Sequence, residues 1–277
     1  MRRFKLKRKQ KRKLASTAGL ALIAVFIYYG ITQNGLFPPV SLPGRAPKHP
    51  TDPGRLSLIQ VEKVGGENRV VNQRDGSFAL TENITLVDGR TPQRKAVSIP
   101  FENGAARIPI QDNFDYAQGS VAFWINTDVW NDNLQHLFFA VESLPSHNFA
   151  IFKAADGAGI DSLRAGIGPN LSSIISEDIP SGAWHLIVMT YQPGDFVRLY
   201  LDDALVSTSP VVYAGDAQPA TAGNCFVLIC WGTSLFFTAG AQSTLEDMQT
   251  FNYALSPDQV LELYNSRFPV SFYELGP

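Results

Sequence analysis

Hydrophobic and polar positions follow three rhythms along this chain. From Leu14 to Ile31 the eighteen residues are uncharged and largely apolar. At a helical rise of about 1.5 Å per residue such a run spans roughly 27 Å, close to the hydrocarbon thickness of a bilayer. Further on, short β-branched and aromatic segments alternate with Gly, Pro, Asn and Asp. That texture predicts strands over Ser120–Ile125, His136–Val141, Phe149–Phe152, Trp184–Tyr191, Phe196–Val206, Cys225–Trp231 and Ser234–Phe237. Helical spacing is clear only near the end. Ser256 reads as an N-cap, Pro257 as the first helical residue and Gln259 as its capping-box partner, with Val260, Leu263 and Tyr264 sharing one face.

Two of the strands carry more detail. Trp184–Tyr191 is apolar on both alternating faces, which suits a strand covered on both sides. It runs into Gln192-Pro193-Gly194-Asp195, where Pro and Gly fit the central positions of a type II turn and glycine supplies the positive φ. Phe196–Leu201 returns as a strand, and Asp202-Asp203-Ala204 turns the chain again.

Charge divides the chain. Arg2, Arg3, Lys5, Lys7, Arg8, Lys9, Lys11, Arg12 and Lys13 precede the apolar run, and no acid occurs before Asp52. Positive residues on that side predict an N-terminus kept on the cytoplasmic side and an exported C-terminal part. A cleaved secretory signal is the rival reading, but the run exits through Tyr28, Tyr29, Gly30, Ile31, Thr32 and Gln33 without small residues at peptidase spacing. A nucleic-acid arm is the weakest reading, since topology already accounts for the charges. Nine of the 23 basic residues lie in this tail, so the remainder carries 14 against 25 acids, a net of −11. An exported part of that charge is repelled by nucleic acid and anionic headgroups. Prolines 38, 39, 43, 47, 50 and 53 then predict an extended stalk. The expected division is a basic tail (1–13), a transmembrane anchor (14–33), a Pro-rich stalk (34–53) and one β domain (54–277).

Three motifs in order resemble the laminin-G-like, concanavalin A-type jelly roll. They are Gly119-Ser120-Val121-Ala122-Phe123-Trp124-Ile125; Trp184-His185-Leu186-Ile187-Val188 with Val197-Arg198-Leu199-Tyr200-Leu201-Asp202; and Leu245-Glu246-Asp247-Met248-Gln249-Thr250-Phe251-Asn252-Tyr253-Ala254-Leu255-Ser256. The resemblance implies an all-β fold, a two-sheet antiparallel jelly-roll sandwich with a short C-terminal helix, here preceded by one transmembrane helix. Residues 54–118 supply the first strands, with Ala106-Arg107-Ile108-Pro109 as an edge. The family's turn glycine falls at Asp203, which is expected to take up the left-handed backbone.

The resemblance covers lectins, adhesion modules and glycoside hydrolases, and fold alone does not choose among them. Jelly-roll glucanases carry alternating carboxylates on one strand, and this chain has no such array. Glu246 and Asp247 are adjacent, which on a regular strand points them to opposite faces. His49 and His147 read as solvated and His185 as a packed or hydrogen-bonded core-edge residue; no nucleophile, zinc or phosphate-loop motif accompanies them or His136. Cys225 and Cys230 lie about 17 Å apart if their run is one strand, beyond disulfide reach.

Calcium is the one cofactor the resemblance suggests, with Asp128, Asp132, Asp156 and Asp161 as rim candidates beside the simpler reading of solvated loop acids. Trp130 suits core packing or a sugar platform. Asn83 and Asn170 head glycosylation sequons. No catalytic residue is assigned, and no metal-binding or ligand-binding residue is fixed. The expectation is a non-catalytic, membrane-anchored extracytoplasmic module that binds a glycan or partner protein. The alternative is a structural accessory subunit whose anchor packs among other membrane helices through Gly19 and Gly30, and glycoside hydrolysis is a remote third reading.

Overall fold

The computed structural model describes residues 54–99, 105–109, 112–128, 130–141, 143–144, 149–155, 161–167, 170–175, 179–215, 218–219, 225–226, 229–230, 234–237 and 243–266. The basic tail, the anchor and the stalk (1–53) lie outside the described residues, as do His147 and Asp156. Among the described residues no helix is long and apolar enough to cross a membrane.

The domain is a sandwich of antiparallel sheets. The nine-stranded sheet runs Ala204–Val212, Phe196–Leu201, Trp184–Tyr191, Gly119–Thr127, Ser243–Phe251, Arg55–Val64 and Glu67–Asn72, and a hairpin of Thr85–Asp88 and Lys95–Ile99 also joins it. The seven-stranded sheet runs Asn170–Ile175, Asp161–Ile167, Phe149–Ala155, His136–Val141, Ser234–Phe237, Ala105–Pro109 and Leu80–Glu82. Ala105–Pro109 is therefore one strand in from the edge. Leu80–Glu82, all exposed and too short to read from pattern, takes the edge itself.

Strand alternation builds two cores at once. Val121, Phe123 and Ile125 face the seven-stranded sheet together with Ile187, Met189 and Tyr191. Their neighbours Ala122, Trp124, Leu186 and Val188 face the other way and meet Val260 and Leu263 of the C-terminal helix, Pro257–Asn265. That helix is why Trp184–Tyr191 is apolar on both faces. Its start follows the sequence: the Gln259 N–H donates to Ser256 Oγ and the Ser256 N–H to Gln259 Oε1. Tyr264 stays partly exposed and stacks on Trp124, with ring centroids 5.8 Å apart.

The Pro193-Gly194 turn forms as expected, with Gly194 at φ 79° and the Asp195 N–H bonded to the Gln192 carbonyl. Two expectations are corrected. The left-handed residue of the next turn is Asp202 (φ 59°), not Asp203, because the Asp202 side chain and backbone are both held by Leu186. The Cys225–Trp231 run is not one strand. Cys225–Phe226 pairs antiparallel with Ile229–Cys230, placing Cys225 opposite Cys230. Neither Gly, Pro, Asn nor Asp announces that reversal in the sequence.

Candidate functional site

His185 sits where the Trp-His motif meets its partner strand. Its Nε2–H donates to the Pro180 carbonyl (2.9 Å) and its Nδ1 lies 3.0 Å from Asp202 Oδ2. Both nitrogens face acceptors, so the ring makes both bonds only as an imidazolium. The Asp202 bond raises its pKa above the ordinary value, against the opposing effect of burial. Asp202 Oδ1 also accepts from the Leu186 N–H at 2.9 Å. The motif residues thus pin a hairpin. They do not open onto a ligand.

The closing Leu245-Glu246-Asp247 motif lies at a fork. Ser243–Leu245 pairs with Val97–Ile99, whereas Met248–Phe251 pairs with Arg55–Ile59. Between these pairings the strand bulges against Trp124 and Ala122, and Asp247 takes φ 54°. The bulge brings both carboxylates to the same two arginines, overturning the opposite-face expectation. Arg94 grips Asp247 through both Nη atoms and reaches Glu246 Oε1 at 3.2 Å. Arg90 donates from Nη2 to Asp247 Oδ2 (3.2 Å) and from its backbone N–H to Glu246 Oε2 (2.7 Å). Its guanidinium stacks 3.9 Å from the Trp124 ring centroid. Gly89 lies against them, and a Cβ there would displace the Glu246 carboxylate from its present position. Burial first, and the Asp247 charge second, raise the Glu246 pKa. The two carboxylates are only 1 and 2 % exposed. The adjoining cleft, lined by Gln60, Val61, Val97 and Met248 together with Glu246 and Asp247, has room for about one water molecule.

A second ion cluster lies at the rim beneath His136. Lys153 follows Phe149 and Ile151 at the inward parity of its strand and is 1 % exposed. Its Nζ donates to Asp132 Oδ1 and, at 2.8 Å, to Asp161 Oδ2. Asp161 Oδ2 also accepts the backbone N–H groups of Asp132 (3.0 Å) and Asn133 (2.9 Å). His136 Nε2 is 2.8 Å from Asp132 Oδ2. Burial works against the Asp132 charge, but bonds from Lys153, the Leu134 N–H and His136 outweigh it and lower the pKa. In and beside this cluster, Asp161 Oδ1, His136 Nδ1 and Trp130 Nε1 are buried without a hydrogen-bond partner.

The outer face of the seven-stranded sheet differs from both clusters. Phe152 lies directly opposite Arg164 and Leu137, and all three are half-buried. Around them the register sets small residues side by side: Ala140 with Ala150, Ala150 with Gly166, and Ala154 with Ser162. Arg164 Nε donates to Ser162 Oγ at 2.9 Å, which orients the guanidinium along this floor. Leu137 and Phe152 belong to neither hydrophobic core.

The profile of the concanavalin A-like lectin/glucanases superfamily matches residues 102–261, more than half of the chain. The chain belongs to that superfamily. Solved structures similar to this lectin/glucanase-superfamily chain include the binding domain of Paraclostridial mosquitocidal protein 1, at 16 % identity and TM-score 0.55, with 77 % of this chain and 52 % of that one covered. The binding domain of botulinum neurotoxin DC in complex with rat synaptotagmin II matches at 13 % identity and TM-score 0.53, covering 78 % and 52 %. The same toxin's binding domain in complex with SialylT matches at 14 % identity and TM-score 0.53, covering 77 % and 52 %. This chain spans about half the length of each, and likeness at that identity speaks for the fold. No curated protein matches the chain as a relative.

Calcium, which the superfamily resemblance suggests, does not fit the described residues. Of the four rim acids, the fold brings Asp132 and Asp161 together, while Asp128 is exposed at the end of its strand. An ammonium already lies between the two that meet. Among the described residues no group of three or more His, Cys, Asp or Glu is placed to hold a metal ion. Trp130 is 2 % exposed and packs edge-on against Phe138, so it serves the core. Asn83 is exposed in a left-handed turn. Sequence reasoning missed Lys153, Arg90 and Arg94. A lone lysine at the inward parity of Phe149–Ala155 was the available signal for the first.

Proposed function

We propose that this protein is a non-catalytic binding module displayed on the extracytoplasmic side of a membrane. Residues 14–33 are its anchor, 34–53 its stalk, and the outer face of the seven-stranded sheet receives a glycan or a partner protein. The observation that carries the reading is the Phe152–Arg164 pair on a floor of alanine, glycine and serine. Ala140, Ala154, Ser162 and Gly166 of that floor are buried, and beside them the half-buried phenyl offers a stacking face and the guanidinium paired donors. Part of the other outer face, at Ala122, Trp124, Leu186 and Val188, is covered by the C-terminal helix, and the buried carboxylates at the fork are neutralised by arginine. Binding domains with this fold, seen with synaptotagmin II and with SialylT, support a glycan or protein ligand.

The test is binding of the full-length chain in detergent to glycan and protein arrays, followed by Phe152→Ala and Arg164→Ala. Each substitution should weaken a captured ligand about tenfold or more, as central anchors do. A ligand that ignores both places the site elsewhere, and absence of any ligand sinks the reading. Protease protection of inside-out and right-side-out vesicles tests the topology. A tail protected with the domain would refute it.

One observation favours the accessory-subunit reading as a second. Phe196 and Val212 are exposed cross-strand partners, with Val211 exposed beside them, an apolar patch of the kind that meets protein. Isolation of a stoichiometric complex that dissociates when the anchor is exchanged would favour this reading.

A further inference from the structure

The resemblance suggests a divalent cation among the rim acids, and the two of them that meet, Asp132 and Asp161, hold a side chain of the protein itself. We infer that Lys153 is the built-in cation of the rim, making the domain independent of calcium, and that removing its ammonium turns the Asp132–Asp161 pair into a divalent-cation site.

The argument rests on charge and burial. Asp161 is fully buried and Lys153 nearly so, and a carboxylate there without a counter-charge is too costly to fold. Lys153 Nζ touches one oxygen of each acid, the position a bridging metal takes. Calcium lies about 2.3–2.6 Å from its oxygen ligands, so an ion on these oxygens would meet the ammonium at contact distance. Like charges at that spacing exclude one another. The remaining donors at the rim suit a hard cation once the ammonium is gone. Asp161 Oδ1 is buried and unpartnered, and the Asp161 N–H donates to the Asn131 side-chain oxygen at 3.3 Å, which holds Asp161 in place. His136 stays on the far oxygen of Asp132 and orients it.

Thermal unfolding of the full-length chain at fixed ionic strength tests this, with calcium chloride or a chelator. The wild type should show the same midpoint in both. Lys153→Met should lower the midpoint by about 10 °C in chelator, as expected when a buried pair loses one partner. It should recover several degrees in millimolar calcium. Lys153→Arg, which keeps a cation, should remain insensitive, and Asp161→Asn added to Lys153→Met should abolish the recovery. If Lys153→Met does not fold in chelator, its refolding yield with and without calcium gives the same reading. A wild-type midpoint that rises with calcium and loses that rise in Asp161→Asn would overturn the inference. So would a Lys153→Met variant blind to calcium.

Discussion

The fork buries two neighbouring carboxylates, the rim sets the buried Asp161 beside the partly exposed Asp132, and the two solve the problem differently. At the fork two guanidinium groups from one tight hairpin turn answer Glu246 and Asp247, and Trp124 and Gln60 complete the shell. At the rim a single ammonium bridges Asp132 and Asp161, helped by His136 and by backbone N–H groups. Arginine's planar fork can serve both carboxylates of a crowded pair, whereas lysine acts as a point charge between two oxygens. Each cluster keeps unpartnered buried atoms, Arg90 Nε and Glu246 Oε1 at the fork and Asp161 Oδ1 and His136 Nδ1 at the rim, but the fork holds two cations whereas the rim depends on one removable charge.

The largest expected effect is at the fork. Asp247→Ala leaves two half-buried guanidinium groups without their main partner and should cost about 3 kcal/mol, read as a lower unfolding midpoint in urea. Loss of Lys153 should come next. If it proved the costlier of the two, the description of the fork as the more tightly coupled cluster would be wrong. Glu246→Gln should cost less than about 1 kcal/mol, because burial already disfavours that charge and an amide oxygen can still accept the Arg90 N–H.

Acid should separate the clusters by sign. Glu246 has its pKa raised above 4.5, so the native state binds its proton first and gains stability as pH falls toward that value. Asp132 has its pKa lowered below 3.8, so its contribution is present above that value and disappears as pH falls through the folded one. Unfolding free energies of Glu246→Gln and Asp132→Asn, each subtracted from wild type across pH 3 to 7 (roughly the range over which carboxylates titrate), should slope in opposite directions. Parallel slopes would show that the two clusters respond alike.

The smallest effect lies outside both clusters, at His185. Its raised pKa means stability fully present below 6.5 and lost as pH rises through the folded value. His185→Gln should flatten that alkaline decline and leave the acid limb unchanged.

Much of this was legible before any coordinates. Pro193-Gly194 named its turn, Ser256 and Gln259 named their helix start, and His185 read as a hydrogen-bonded core-edge residue. Each rests on contacts made within a few residues or on a strand's own alternation. The carboxylate sites were not legible in the same way. Glu246 and Asp247 read as opposed because a regular strand alternates, and the bulge that unites them exists only where two other strands exchange places beside it. Asp132 and Asp161 read as cation candidates beside the simpler reading of solvated loop acids, and nothing local tied Lys153 to them.

The sequence by itself determined the strand rhythm, the helix cap, the turn chemistry and the superfamily's motif order, because period-two patterning and capping are short-range. It also carries the basic tail and apolar run that motivate the proposed membrane anchor. Only the tertiary structure decided which charges meet. Lys153 reaches Asp132 twenty-one residues away, and Arg94 reaches Asp247 across 153. Register between distant strands, and the low dielectric that makes an unpaired buried charge intolerable, chose those partners.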